Sequence, residues 1–221
     1  MLSVVIPTLN AGERLPPLIA VLREVADEIV VADGGSTDDT RNVAQHEGAV
    51  VINAAPGRGR QLAAGAKAAH GDWLLFLHAD STMGQGWQQA VQAQIDDPFG
   101  PHWAAYFRLV FDDDSRQARR LERMVAWRSR VLGLPYGDQG LLLHRSLYDR
   151  AGGFADIELM EDVALVRAIG RRWLKPLDAA IITSAERFQK AGWWKRSARN
   201  LLCLMLYFFK ASPRWIKRIY G

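Results

Sequence analysis

Glu28-Ile29-Val30-Val31-Ala32-Asp33-Gly34-Gly35-Ser36-Thr37-Asp38-Asp39-Thr40 joins a β-branched apolar run to a carboxylate, two glycines and a Ser/Thr/Asp helix cap. An apolar strand stopped by glycine and handed on to a capped helix is the repeating unit of an α/β fold. The same alternation continues on both sides. Residues 3–6, 49–52 and 73–77 are compact apolar runs bounded by turn residues or charges, and together with 28–32 they read as strands. Residues 14–25, 38–47 and 60–70 are rich in Ala, Leu, Arg and Gln and long enough for helices. Parallel strands with right-handed crossovers put helices on both faces of the sheet and ligands at the carboxyl ends of the strands. Those ends are residues 7–10, 33–36, 54–59 and 78–80, each polar or glycine-rich.

After Asp80 the alternation breaks. Residues 103–111 read as a longer strand, 115–132 as a basic amphipathic helix, 141–143 as a short strand and 161–169 as a helix. The expectation is one α/β domain over residues 1–186, with a mostly parallel, Rossmann-like central sheet, and an amphipathic helical tail over 187–221. With 221 residues, 49% of them hydrophobic and 24% charged, disordered, collagenous and coiled-coil classes drop out. The single cysteine, Cys203, can form neither an internal disulfide nor a zinc cluster, and the start of the chain reads as a strand rather than a signal peptide, so a cytoplasmic location is expected.

The net charge of +4 hides an asymmetry. Residues 187–221 carry nine basic side chains and no acidic one, leaving 19 basic against 24 acidic in residues 1–186. Basic residues interleaved with Trp193, Trp194, Tyr207, Phe208, Phe209 and Trp215 point to an anionic surface. A membrane is preferred to nucleic acid, because Leu201-Leu202-Cys203-Leu204-Met205-Leu206-Tyr207-Phe208-Phe209 is flanked by Lys195, Arg196 and Arg199 before it and Lys210, Arg214, Lys217 and Arg218 after it. The run is far shorter than the ~20 residues that span a bilayer, so an in-plane helix on the inner face of the cell membrane is expected. The competing reading is a final helix packed on the core.

Several constellations can carry chemistry. Asp33 with its glycines suits a ribose or base, although capping alone also explains the turn. Arg58 and Arg60 stand in a glycine-rich segment before a helix, where guanidinium groups and free N–H groups can face a diphosphate or simply be solvated. His78-Ala79-Asp80 ends the most apolar strand, and alternation points residues 78 and 80 the same way, so they can share a divalent cation. Glu161-Asp162 opens a helix, as dipole-favoured acids or as a general base presented to a cleft. Asp138 and Gln139 lie between two glycines, in a loop that can approach a polyhydroxy ligand or be a plain turn.

In order and spacing these segments resemble a family 2 glycosyltransferase of the GT-A fold. The resemblance rests on Val4-Val5-Ile6-Pro7-Thr8-Leu9-Asn10, Val30 to Asp38, Gly71 to Asp80, Gly137-Asp138-Gln139-Gly140, Gly152-Gly153-Phe154 and Glu161-Asp162. It looks closest to a small bacterial subgroup of uncharacterised members. It implies an inverting transfer of a sugar from a nucleoside-diphosphate sugar to a hydroxyl acceptor, one that a membrane location would make lipid-linked. Pro7, Thr8, Asn10, Asp33, Arg58, Arg60 and Asp80 would then bind the donor, and Asp138 and Gln139 the acceptor. His78 and Asp80 would hold Mn²⁺ or Mg²⁺, with Asp162 as base and Glu161 beside it. Gly34 stands where the family carries a second Asp, and His78 where it carries the first Asp of Asp-x-Asp. Ile169 ahead of Arg172-Trp173 departs from the processive signature, so a non-processive enzyme is expected. Two other classes stay open, a sugar-nucleotide nucleotidyltransferase and a non-catalytic nucleotide- or membrane-binding protein.

Overall fold

The computed structural model describes residues 1–209, apart from Glu158 and the side chain of Arg187, together with residues 211, 215, 218 and 219. Of the basic residues expected to face a membrane, Lys210, Arg214 and Lys217, and the side chain of Arg187, lie outside the described residues.

The first half follows the expected alternation. The elements are β1 (Leu2–Thr8), α1 (Leu15–Leu22), β2 (Glu28–Asp33), α2 (Thr40–His46), β3 (Val50–Asn53), α3 (Arg58–Ala68) and β4 (Trp73–Phe76). A short strand β5 (Thr82–Met83) and helix α4 (Trp87–Asp96) follow, then β6 (Ala104–Phe111), α5 (Arg116–Trp127), β7 (Leu141–His144) and α6 (Arg145–Arg150). The chain ends in α7 (Glu161–Ile169), β8 (Leu174–Thr183), α8 (Glu186–Ala191) and α9 (Trp193–Phe208). One eight-stranded sheet runs in the order β3-β2-β1-β4-β7-β6-β8-β5, with β7 antiparallel to both neighbours and β5 antiparallel to β8.

Both faces of the sheet are buried, which is why its central strands read as continuous apolar runs. Val4, Ile6, Val31 and Leu75 face α1 and α4, through Leu15, Ile19, Leu22, Trp87 and Val91. Val5, Val30, Leu74 and Phe76 face α3, α6 and α7, through Leu62, Ala66, Leu147, Val163 and Val166. At Gly65 of α3 an added Cβ would stand 2.3 Å from Val5 Cγ1, so the missing side chain is what lets this helix lie close on β1.

Beyond β5, α4, α6 and α8, which the sequence reading did not single out, three further elements differ from expectation. α3 begins at Arg58, so Arg58 and Arg60 sit in a helical first turn rather than a loop. The helix expected over 115–132 ends at Trp127 and continues as a π-helical turn, Arg128–Leu132, to Gly133 in the left-handed region. β8 was not foreseen, because Lys175, Pro176 and Asp178 interrupt its apolar pattern. Pro176 borders a register shift opposite Tyr106 and Arg108, a bulge of the kind that admits proline to a sheet.

Candidate active site

The polar loops collect at the carboxyl edge of β1, β2 and β4, beside the start of β7. On one side of this edge lies the turn after β2. Asp33 is buried, and its carboxylate accepts from the N–H groups of Gly35 at 3.1 Å and Ser36 at 3.0 Å, from Ser36 Oγ, and from Thr8 Oγ1 at 3.4 Å. Asn10, with φ 52°, accepts from Thr37 N at 2.9 Å and donates its own N–H to Ser36 Oγ. Pro7 and Thr8 close β1, Thr8 O accepting from Gly34 N and from Gln61 Nε2. These donor-site candidates therefore lie together, knitted into one turn.

Beside them opens a cleft of about 590 Å³ lined by Arg14, Arg58, His78, Asp80, Asp138 and Asn200, among others. Asp80 is 46% exposed and 3.8 Å from Arg14 Nη1. A second hollow of about 90 Å³ adjoins it, sharing Arg58, His78, Asp138 and Asn200 and adding Tyr136, Gly137 and Asp162. Gly137 is where these groups converge, since a Cβ there would stand 2.8 Å from His78 Nε2 and 3.4 Å from Asp162 Oδ2. Arg60 turns aside and pairs with Asp156.

The acidic pair at the start of α7 is delivered by Met160, whose φ of 67° costs a residue with a Cβ about 1–2 kcal/mol. Glu161 is buried and ion-paired with Arg58, its Oε2 left without a hydrogen-bond partner. Asp162 accepts from Gly137 N and from Val163 N, both at 2.7 Å, while lining the smaller hollow. Asp138 also faces both hollows, and its Oδ1 is buried with no partner. Burial raises both the Glu161 and the Asp138 carboxyls above the usual range. Arg58 pulls Glu161 down and Arg128 pulls Asp138 down, while Asp162 pushes both up.

Gln139 lies outside the cleft. Its Oε1 accepts from Arg128 Nη2, Ser129 Oγ and Tyr136 N, and its Nε2 donates to Phe107 O at 3.1 Å. Arg128 also lies 3.4 Å over the Tyr136 ring. These contacts fix the loop that carries Gly137 and Asp138. Arg14 and Asn200 line the cleft without having been singled out in the sequence, and so does Arg196, which the sequence placed beside a membrane-bound run. Asn200 Oδ1, like Asp138 Oδ1, is buried and unpartnered, and nothing in its local sequence marks it.

Among the described residues no three His, Cys, Asp or Glu side chains are grouped to hold a metal ion. His78 and Asp80 line one cleft as an imidazole and a carboxylate, a donor pair acceptable to Mn²⁺ and to Mg²⁺ when phosphate oxygens complete the coordination. The residues thus fit an ion shared with a diphosphate rather than one caged by protein alone.

Comparison with known proteins bears on the fold and the family. The glycosyl transferase family 2 pattern matches residues 3–156. An uncharacterised glycosyltransferase of Mycobacterium tuberculosis is 37% identical over 42% of this chain and 43% of its own length. A PGL/p-HBAD biosynthesis glycosyltransferase of Mycobacterium bovis is 34% identical over 72% of this chain and 53% of its own. The chain thus spans about half the length of these curated relatives. Among solved structures, S. aureus TarS 1–349 superposes with TM-score 0.65 at 17% identity, covering 99% of this chain and 69% of that one. Glucosyl-3-phosphoglycerate synthase of M. tuberculosis does so with TM-score 0.61 at 20% identity, covering 96% and 81%. The fold is that of the GT-A glycosyltransferases, and with more than half of its length matched by the family pattern, the chain belongs to glycosyl transferase family 2.

Proposed function

We propose that the chain is an inverting, non-processive glycosyltransferase that moves a sugar from a nucleoside-diphosphate sugar to a hydroxyl acceptor with the help of a divalent ion. The observation that carries this reading is the approach of Asp162 and His78 to Gly137 in the smaller hollow, which shares Arg58 and His78 with the larger cleft. Asp162 is the base. Backbone N–H groups of Gly137 and Val163 hold its two oxygens in place, and its remaining lone pairs accept the acceptor hydroxyl's proton as that oxygen attacks the anomeric carbon. Arg58 offsets charge on the departing diphosphate, and Glu161 is a positioning residue that aims its guanidinium. Asp138 and Asn200, each with a buried, unpartnered oxygen, accept hydroxyls of the sugar or acceptor. His78 and Asp80 would hold Mn²⁺ or Mg²⁺, which when bound supplies further electrostatic stabilisation of the leaving group.

Glucosyl-3-phosphoglycerate synthase structures hold Mn²⁺ together with UDP-glucose, which supports the donor class and the ion for this chain. The acceptor is proposed to be lipid-linked and met at an anionic membrane surface. α9 buries Cys203 and Leu204 against the core yet leaves Trp194, Leu201, Met205, Phe208 and the following Phe209 exposed. No helix among the described residues is long and apolar enough to cross a membrane. Thermal shift against UDP-, GDP- and dTDP-sugars, with and without Mn²⁺, tests the donor reading, because a bound donor stabilises by mass action. Asp80→Ala is expected to lose the Mn²⁺-dependent part of the shift while melting as a folded protein. An unchanged Mn²⁺-dependent shift in that variant would remove the ion from Asp80.

A further inference from the structure

The sequence singles out residues 115–132 as basic and amphipathic, and the transfer chemistry makes no use of that property. In the structure α5 buries Ala118 and Val125 against β6 through the cluster of Leu109 and Phe111. Its opposite face holds Arg120, Arg123, Met124 and Trp127, and the π-helical turn extends the same stripe with Arg130 and Val131, all exposed. Trp127 is 55% and Met124 47% exposed, an arrangement that costs free energy in water unless something apolar covers it. Arginine alternating with tryptophan and aliphatic side chains on one helical face is the pattern of a helix lying in a lipid headgroup region.

Two further observations bear on what covers this face. The N-terminal turn of α9 meets it, for Arg120, Met124 and Trp194 line one small groove of about 50 Å³, and Trp194 is itself 65% exposed. The stripe is also uniformly basic. A second copy docked on it about a two-fold axis would set arginine against arginine, which disfavours self-association, whereas anionic headgroups complement it.

We infer that the exposed face of α5 and its π-helical turn, with Trp194 of α9, is a docking surface for an anionic lipid bilayer. This rests on the proposed membrane-surface reading and adds to it an element outside the C-terminal segment. The placement has a direct bearing on the site. Arg128, next after Trp127, donates to Leu134 O and Gln139 Oε1, and Ser129 donates to the same Oε1, so the docked helix holds the loop that presents Gly137 and Asp138.

The test is flotation of the full chain with vesicles of equal parts phosphatidylglycerol and phosphatidylcholine, and of phosphatidylcholine alone, over a salt series. Arg120→Glu combined with Arg123→Glu should lower partitioning onto the anionic vesicles by roughly 25-fold or more, at about fivefold per basic residue removed, with the added acids lowering it further. Trp127→Ser should lower it severalfold at every salt concentration. Both sites are exposed, and an unchanged melting temperature and donor-induced shift in each variant confirm that the fold and donor site persist. Wild-type partitioning in both α5 variants, alongside its loss in Leu201→Ser/Phe209→Ser, would overturn the assignment of α5 and leave the C-terminal membrane reading standing. Failure of the wild-type chain to float with anionic vesicles at low salt would overturn both, without touching the donor reading. A wild-type dimer in sedimentation velocity that Trp127→Ser dissociates would assign the face to a second copy and overturn the lipid assignment.

Discussion

Asp33, the last residue of β2, and Asp138, in the short helical turn Gly137–Gln139 before β7, both stand at the carboxyl edge of the sheet, yet their surroundings are opposite in kind. The oxygens of Asp33 accept from Gly35, Ser36 and Thr8, with Arg41 Nε at 3.7 Å, so burial of the charge is matched by donors. Asp138 Oδ1, Glu161 Oε2 and Asn200 Oδ1, by contrast, are buried with no partner. The first loop is built for stability and holds its shape with or without a ligand. The second retains hydrogen-bonding capacity that a ligand can take up, and buried unpaired polar atoms are the usual mark of a site that sacrifices stability for function.

The largest expected break in this contrast is at Asp33. Replacing it by Ala strips the buried Ser36 N–H and hydroxyl and the partly buried Gly35 N–H of their acceptor and should cost about 3 kcal/mol in urea unfolding. A loss below ~1 kcal/mol would mean that the turn does not depend on its carboxylate. Gln139→Ala comes next. Removing the amide that joins Arg128, Ser129, Tyr136 and Phe107 should cost about 2 kcal/mol and lower kcat more than donor affinity, because the loop bearing Asp138 loosens. A raised KM for acceptor with stability intact would instead return Gln139 to a direct acceptor contact.

The smallest effect sharpens the other side. Because burial lifts the Asp138 carboxyl above its ordinary range, the folded chain keeps that proton to higher pH than the unfolded chain does. Stability from this group therefore falls as pH rises through the interval between the unfolded and folded values. Asp138→Asn removes the titration, so the variant should gain on the wild type as pH is raised from the acid range toward neutrality, read as the difference in denaturation midpoints. A difference that shrinks with rising pH would mean that the carboxylate is stabilised in the fold.

The two halves of the molecule were unequally legible for physical reasons. β1, β2 and β4 declare themselves because strands buried on both faces must be apolar without a break, and β3, half-exposed at the sheet edge, by its β-branched run; their turns need glycine or caps. β8 escapes notice because its proline and charges are tolerated only beside a bulge that the fold creates. Asp33 ends β2 and Asp162 opens α7, where local pattern exposes them, whereas His78 and Asp80 lie in the turn after β4, which stops at Phe76, so strand alternation does not set their direction. The partnership of Arg58 with Glu161 joins residues 103 apart in the chain, and no local signal carries it. Asn200 and Arg196 were hidden for a related reason. In a basic, aromatic tail they read as surface residues, whereas the packing of Cys203 and Leu204 on the core lays that helix along the cleft.

Asp162 carries the central claim, and the most direct measurement of it is single-turnover transfer by Asp162→Asn alongside calorimetric titration of the donor. Asparagine keeps one oxygen for one of the Gly137 and Val163 N–H groups, sets its amide nitrogen toward the other, and cannot take a proton. Transfer should therefore fall by ~10²-fold or more with donor affinity nearly unchanged. Near-normal turnover in this variant would contradict the account and move the base to Glu161 or Asp138.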